Sequence, residues 1–210
     1  MAASLTLLHL STPSIADYAE LSLRTKQDYA ARHGLGLAVV RDTLDASRPP
    51  SWSKILLCQR ELDRPRIGSA LTAHSKRIDR ADWLWWLDAD AAITTPKIDV
   101  RQYCDEMSDM VITEDGNGIN CGSFLLRNSD GARRLLDATW NRTALIHHQW
   151  WEQGAMHAIL REKPGIAVVK VIPQRTINSY HENWQAGDLV VHLAGKSHGE
   201  RAELMRKYAK

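Results

Sequence analysis

Apolar and polar positions follow two periods along this chain. Short, almost continuous apolar runs recur at 5–10, 37–40, 83–87, 110–113, 123–126, 168–172 and 189–193. Runs of that length read as strands covered on both faces. Between them, 14–33, 53–62, 67–78, 132–141, 150–161 and 200–209 carry the spacing of helices. In 150–161, for example, Trp151, Ala155, Ala158 and Ile159 share one face. Ser14 with Asp17 three residues on resembles a capping box, and Gly34 suits the position just past a helix end. The polar stretch 43–50 reads as a loop, and 116–122, with Gly116, Gly118 and Gly122, as a turn-rich segment ahead of a strand. Strands and helices alternate. The pattern predicts an α/β fold with a mainly parallel sheet flanked by helices, in one domain over 1–210.

Composition narrows the function. Hydrophobic residues make up 44% and charged residues 25%, a globular balance, and the formal net charge is only +2. No concentrated basic face is present, so nucleic acid is not expected as a partner. No apolar stretch approaches the ~20 residues of a spanning helix, and 1–10 lacks a signal-peptide pattern. A protein without a transmembrane segment is therefore expected, with peripheral membrane contact open to the basic tail Arg201, Arg206, Lys207 and Lys210. Cys58, Cys104 and Cys121 form no CxxC pair, which points to a reducing compartment and a cytoplasmic location. Of the eight tryptophans, five stand in two tight clusters that serve either as core or as surfaces on which sugars stack.

Four segments carry chemistry. The run Trp83-Leu-Trp-Trp-Leu-Asp88-Ala-Asp90 delivers two carboxylates to the C-terminal end of a buried strand, where ligands of open α/β sheets bind. Two hard oxygen ligands at this spacing suit Mg²⁺ or Mn²⁺ and leave positions for diphosphate oxygens. The same aspartates could only cap a turn. In 190–198, His192 is either a third, nitrogen ligand, which favours Mn²⁺, or a satisfied core histidine. Gly195 permits close backbone approach to a phosphate, and Lys196 supplies a point charge. Glu152 and Gln153 either act at a sugar's anomeric carbon or belong to an ordinary helix start beside core tryptophans. Asn120-Cys121-Gly122-Ser123 suits hydroxyl recognition and equally a tight turn.

In this order the segments resemble the Golgi α-galactosyl-, α-mannosyl- and xyloglucan α-xylosyltransferases of GT-A fold. Residues 25–34, TKQDYAARHG, are similar to that family's "NK.dYArrHGY", and Trp52-Ser53-Lys54 to its "W.K". Residues 83–93 resemble "WiwWLDaDAlI", 120–128 "NtGsFllRN", 149–155 "w..DQ.A" and 188–195 the late "vHfaGc". The resemblance implies a GT-A, Rossmann-like nucleotide-sugar-binding domain and retaining transfer from a UDP- or GDP-linked sugar to a glycan acceptor. It implies Mn²⁺, with Mg²⁺ as the alternative, on Asp88, Asp90 and His192. Gln153, beside Glu152, falls on the active-site glutamine. The expected donor-binding set is Thr12, Lys54, Asp88, Ala89, Asn120, Ser123, Gly195 and Lys196. The family's usual membrane anchor and stem are not expected, because the chain opens on its first strand. A catalytically silent sugar- or nucleotide-binding domain on the same scaffold is the competing expectation, and a metal-dependent phosphohydrolase a weaker one.

Overall fold

The computed structural model describes residues 3–64 and 81–209. The helix expected over 67–78 lies outside these residues. In chain order the strands are β1 (Leu5–Leu10), β2 (Gly36–Val40), β3 (Trp83–Leu87), β4 (Ala91–Ile93), β5 (Met110–Asp115), β6 (Gly118–Arg127), β7 (Val169–Ile172), β8 (Ser179–Tyr180) and β9 (Val190–His192). The helices are α1 (Ala16–His33), α2 (Ser53–Leu62), α3 (Asp130–Trp140), α4 (Trp151–Glu162) and α5 (His198–Tyr208).

Six strands form one sheet in the order β2-β1-β3-β6-β5-β7. Only β6 runs against the others, pairing antiparallel with β3 and β5. The expected mainly parallel sheet is therefore present. Because side chains alternate across a strand, Leu8, Leu84 and Trp86 pack on one side beneath α2, α3 and α4. Leu5, Leu7, Trp83 and Trp85 pack on the other, against Tyr29 of α1. The cluster Trp83, Trp85, Trp86 is thus core on both faces, and all three are essentially inaccessible to water.

Local readings shifted where tertiary pairing intervened. Gly34 ends α1 in the left-handed region at φ 64° as expected, but Ser14 caps nothing. A 3-10 turn at Pro13–Ile15 precedes α1, and the Ser14 hydroxyl meets Thr12 Oγ1 at 2.9 Å instead. A capping box does occur at α5, between Ser197 and Glu200. The turn-rich segment is mostly strand, since β6 begins at Gly118, folding back on β5. A second, three-stranded sheet, β4-β9-β8, was not anticipated.

Two irregularities build the site. Pairing of β5 with β6 jumps from Ile112 opposite Phe124 to Thr113 opposite Asn120, so Cys121, Gly122 and Ser123 have no partner on β5. Such bulges re-aim backbone and side chains. Here the Gly122 carbonyl accepts from Asp88 N–H at 2.8 Å. Beyond β3 the chain turns through Asp88, Ala89 and Asp90 into β4, which pairs with β9 so that Ala91 faces His192. Asp90 and His192, about a hundred residues apart in sequence, become neighbours through that register.

Candidate active site

Asp88, Asp90 and His192 converge: one ligand atom from each lies within 4.8 Å of the other two. Every other polar atom of the three is already engaged. Asp88 Oδ1 accepts from Trp86 Nε1 at 2.5 Å and faces Lys54 Nζ at 3.1 Å. Asp90 Oδ2 is bound by Arg201 Nε at 2.9 Å. His192 Nδ1 meets Asn178 Oδ1 at 2.9 Å, so Nδ1 carries the proton and Nε2 keeps its lone pair. What remains are Asp88 Oδ2, Asp90 Oδ1 and His192 Nε2, with His192 Nε2 at 4.0 and 3.3 Å from the two carboxylate oxygens. Burial opposes the charge of Asp90, but a protonated His192 and the Arg201 guanidinium outweigh it and hold its pKa below the usual carboxylate range; with His192 neutral, as a metal ligand must be, Arg201 is the cation that remains beside it. An O, O, N set held by outer partners on every side fits a divalent cation. Gly122 gives the imidazole its room: a Cβ there would lie 2.1 Å from His192 Cε1.

Lys54 on α2 links this cluster to the rest of the cavity. Its Nζ touches Asp88 at 3.1 Å, Glu152 Oε1 at 2.9 Å and the Cys121 carbonyl at 2.8 Å. Burial acts to strip its proton, but the Asp88 and Glu152 carboxylates dominate and keep it an ammonium, its pKa above the ordinary lysine value. Glu152 is buried, and its Oε2 has no hydrogen-bond partner. Gln153 Oε1 accepts from Cys121 N–H at 2.9 Å. That oxygen is therefore committed to the bulge, and only the amide NH₂ is left for a ligand. Beneath the aspartate turn, Lys26 of α1 donates to the Leu87 and Asp88 carbonyls at 2.8 Å each and meets His9 Nδ1 at 2.9 Å. Burial lowers the Lys26 pKa to about 7, against the pull of Asp88 and Asp90.

The metal-ligand cluster, Lys54, Glu152 and Gln153 line a cavity of about 690 Å³. Thr12, Lys54, Asp88, Ala89, Asp90, Asn120, Glu152, Gln153, His192 and Gly195 all contribute to its wall. Two expected donor-binding residues do not. Ser123 is fully buried and its hydroxyl accepts from Trp85 Nε1 at 3.1 Å, because the pleat turns it to the sheet's opposite side from Phe124. Lys196 leaves the cavity to pair with Glu182. Arg201, read as part of a basic tail, turns inward to Asp90; Lys210 lies outside the described residues. Glu152 and Gln153, adjacent on α4, both reach the cavity because the helix points its first turn at it. At that start Trp151 has φ 45°, the one positive value at a non-glycine among the described residues. For a bulky side chain this costs roughly 1–3 kcal/mol.

Sequence reasoning missed Asn178, Tyr180, Asp115 and Arg201. Asn178 also donates to Asn120 Oδ1 at 2.9 Å, and Tyr180 donates to Asp115 and accepts from Asn120. Asn178 stands in the loop just before β8, Tyr180 on the two-residue β8, Asp115 at the end of β5 and Arg201 on the terminal helix α5, with no motif spacing to mark them.

A sequence model of the galactosyl transferase GMA12/MNN10 family matches residues 9–108 and 101–202. The chain belongs to that family. It is 27% identical over 207 residues to the probable alpha-1,2-galactosyltransferase gmh1 of Schizosaccharomyces pombe, covering 76% of this chain and 58% of that one. It is 26% identical over 200 residues to the probable alpha-1,6-mannosyltransferase MNN10 of Saccharomyces cerevisiae, covering 76% and 47%. The chain thus spans about half the length of these family members. A crystal structure of a glycosyltransferase involved in glycosylation of the major capsid of PBCV-1 superposes with a TM-score of 0.76 at 17% identity, over 97% of this chain and 99% of that one. The galactosyltransferase LgtC, solved with donor and acceptor sugar analogs, superposes at 0.61 with 11% identity, over 98% and 96%. The fold is that of GT-A glycosyltransferases. Among the described residues no helix is long and apolar enough to cross a membrane.

Proposed function

We propose that the protein is a metal-dependent glycosyltransferase that moves a hexose or pentose from a UDP- or GDP-linked donor to a glycan acceptor, with retention. The observation that carries this reading is the convergence of the three uncommitted atoms of Asp88, Asp90 and His192 inside the cavity. These residues would hold Mn²⁺, which an imidazole beside two carboxylates favours over Mg²⁺. The ion would offset charge on the diphosphate leaving group.

The chain's own groups then divide the work. Thr12 and Gly195 line the wall near the metal ligands, where a diphosphate belongs. Gly195, at φ 73° with open space about its Cα, lets backbone approach closely. Lys54 spends its three donors on Asp88, Glu152 Oε1 and the Cys121 carbonyl and so fixes Glu152, whose free Oε2 is an acceptor for a donor-sugar hydroxyl. Asn120 lines the same wall, its amide held by Asp115, Tyr180, Gly122 and Asn178, so that it braces the bulge. Glu152 is a poor general base, because protonating it would leave the Lys54 ammonium with half its compensation. The acceptor proton then passes to the departing phosphate on the same face, which gives retention. The Gln153 NH₂ steadies the acceptor or the sugar ring, while its oxygen keeps the bulge in place. Three unpaired cysteines support a reducing, cytoplasmic setting.

Calorimetry with UDP and GDP, with and without Mn²⁺, tests the metal reading: wild type binds only with the ion, and Asp90→Ala loses that dependence. A screen of UDP- and GDP-sugars for hydrolysis identifies the donor. NMR of the product's anomeric configuration decides the stereochemistry, and an inverted product overturns retention.

A further inference from the structure

We infer that Trp151 is the stacking platform for the acceptor, a pyranose ring presenting its C–H face, at the mouth of the cavity. This rests on the transfer reading above and extends it to the substrate that reading leaves unplaced.

The groups stand in a spatial series. From the metal ligands, Asp88 touches Lys54 at 3.1 Å, and Lys54 touches Glu152 at 2.9 Å. A donor sugar attached to a diphosphate at the aspartates therefore lies by Lys54 and Glu152. Trp151 is the next residue beyond Glu152, lines the same cavity, and is 48% exposed. A molecule that attacks the sugar from outside must pass it.

Trp151 differs from every other tryptophan of the site. Trp86 is core. Trp150 is half-buried, its backbone N–H donates to His148 Nδ1 at 3.1 Å, and its ring meets that imidazole edge-on at 5.6 Å. The Trp151 indole has no ring contact or hydrogen bond among the described residues. Its backbone is nonetheless held at φ 45°, a conformation suited to glycine. A strained, unpacked indole does not serve stability, so a ligand is the natural partner for its face. An independent observation points into the same place. Glu152 lines the same cavity, and its buried Oε2 lacks a partner. Glu152 thus takes a hydroxyl of the donor sugar, and Trp151, the neighbouring residue on the open side of the same cavity, offers the flat apolar face that an acceptor pyranose needs beside it.

The experiment compares Trp151→Gly and Trp151→Phe with wild type. Glycine suits the backbone, so Trp151→Gly should melt at the wild-type temperature or above it, which removes misfolding as an explanation. Cellobiose and lactose serve as acceptor probes, in saturation-transfer NMR with UDP, GDP and Mn²⁺ present. Ring C–H protons should be saturated by wild type and by Trp151→Phe, and about tenfold more weakly by Trp151→Gly. Equal saturation by Trp151→Gly, or none by wild type, overturns the platform. If wild type neither hydrolyses a donor nor binds a nucleotide with Mn²⁺, the transfer reading fails instead, and the sugar-saturation arm still reports on Trp151 separately.

Discussion

His192 Nδ1 and Asn178 Oδ1 stand 2.9 Å apart, and that contact selects the imidazole tautomer whose free nitrogen faces Asp88 and Asp90. Asn178 itself is held by Thr113 at 3.0 Å and Asn120 at 2.9 Å, so the ring's orientation is fixed from β5 and β6 as well as from β9.

Asn178→Ala should therefore weaken Mn²⁺ binding about 10- to 100-fold, the usual consequence of losing an outer partner of a ligand histidine. Calorimetry with the ion measures it. Unchanged affinity would show that the ring needs no such hold.

Gly122→Ala should act on the same imidazole from the opposite direction. The new Cβ falls 2.1 Å from Cε1, so the ring must move. We expect loss of metal binding together with about 1–3 kcal/mol of destabilisation from overpacking. Metal titration and urea unfolding report the two effects separately, and an alanine variant with native affinity would refute the cradle.

Lys54 is 5% exposed and Glu152 4%, so their pair is screened little by solvent. Lys54→Met should cost about 3–5 kcal/mol, because two carboxylates lose their shared cation. Adding Glu152→Gln to that variant should restore part of the loss. A double variant no more stable than Lys54→Met would mean that packing of the lysine stem, not charge, governs the site.

His9 sets an acid limit. Burial first, then the charges of Lys26 and Arg41, lower its pKa from 6.5 to about 2. Between those values the unfolded chain holds a proton that the native state refuses, so native stability falls as pH drops below 6.5. The slope reaches at most about 1.4 kcal/mol per pH unit from this residue. Urea unfolding of metal-free protein at pH 7, 6 and 5 should show it, reduced in His9→Gln, which keeps an acceptor for Lys26. Identical slopes would remove His9 from the account.

Much of the scaffold was legible in the chain. The apolar run Trp83–Leu87 is a central strand because an uninterrupted stretch of large side chains is satisfied only with both faces covered. Its two following aspartates could then only emerge at the strand's C-terminal end. Gly34 marked a helix end for an equally local reason, its tolerance of φ 64°. Ser14 misled because Pro13 opens a 3-10 turn there, leaving the hydroxyl no helix donor to reach.

What the chain could not reveal was who meets whom across distance. By itself it determined the strand and helix periods, the Asp88–Asp90 pair and a late histidine, all properties of neighbours in sequence. Only the tertiary structure decided that Ser123 faces the core and that Gln153 gives its oxygen to Cys121. It also decided that Lys196 turns away to Glu182 while Arg201 turns in to Asp90. Each of these outcomes depends on register: the bulge in β6 sets which residues of 120–123 look inward, and the pairing of Ala91 with His192 sets what stands beside Asp90. Register is a balance of pairings over the whole sheet, and a shift of one residue reverses every side chain on the strand.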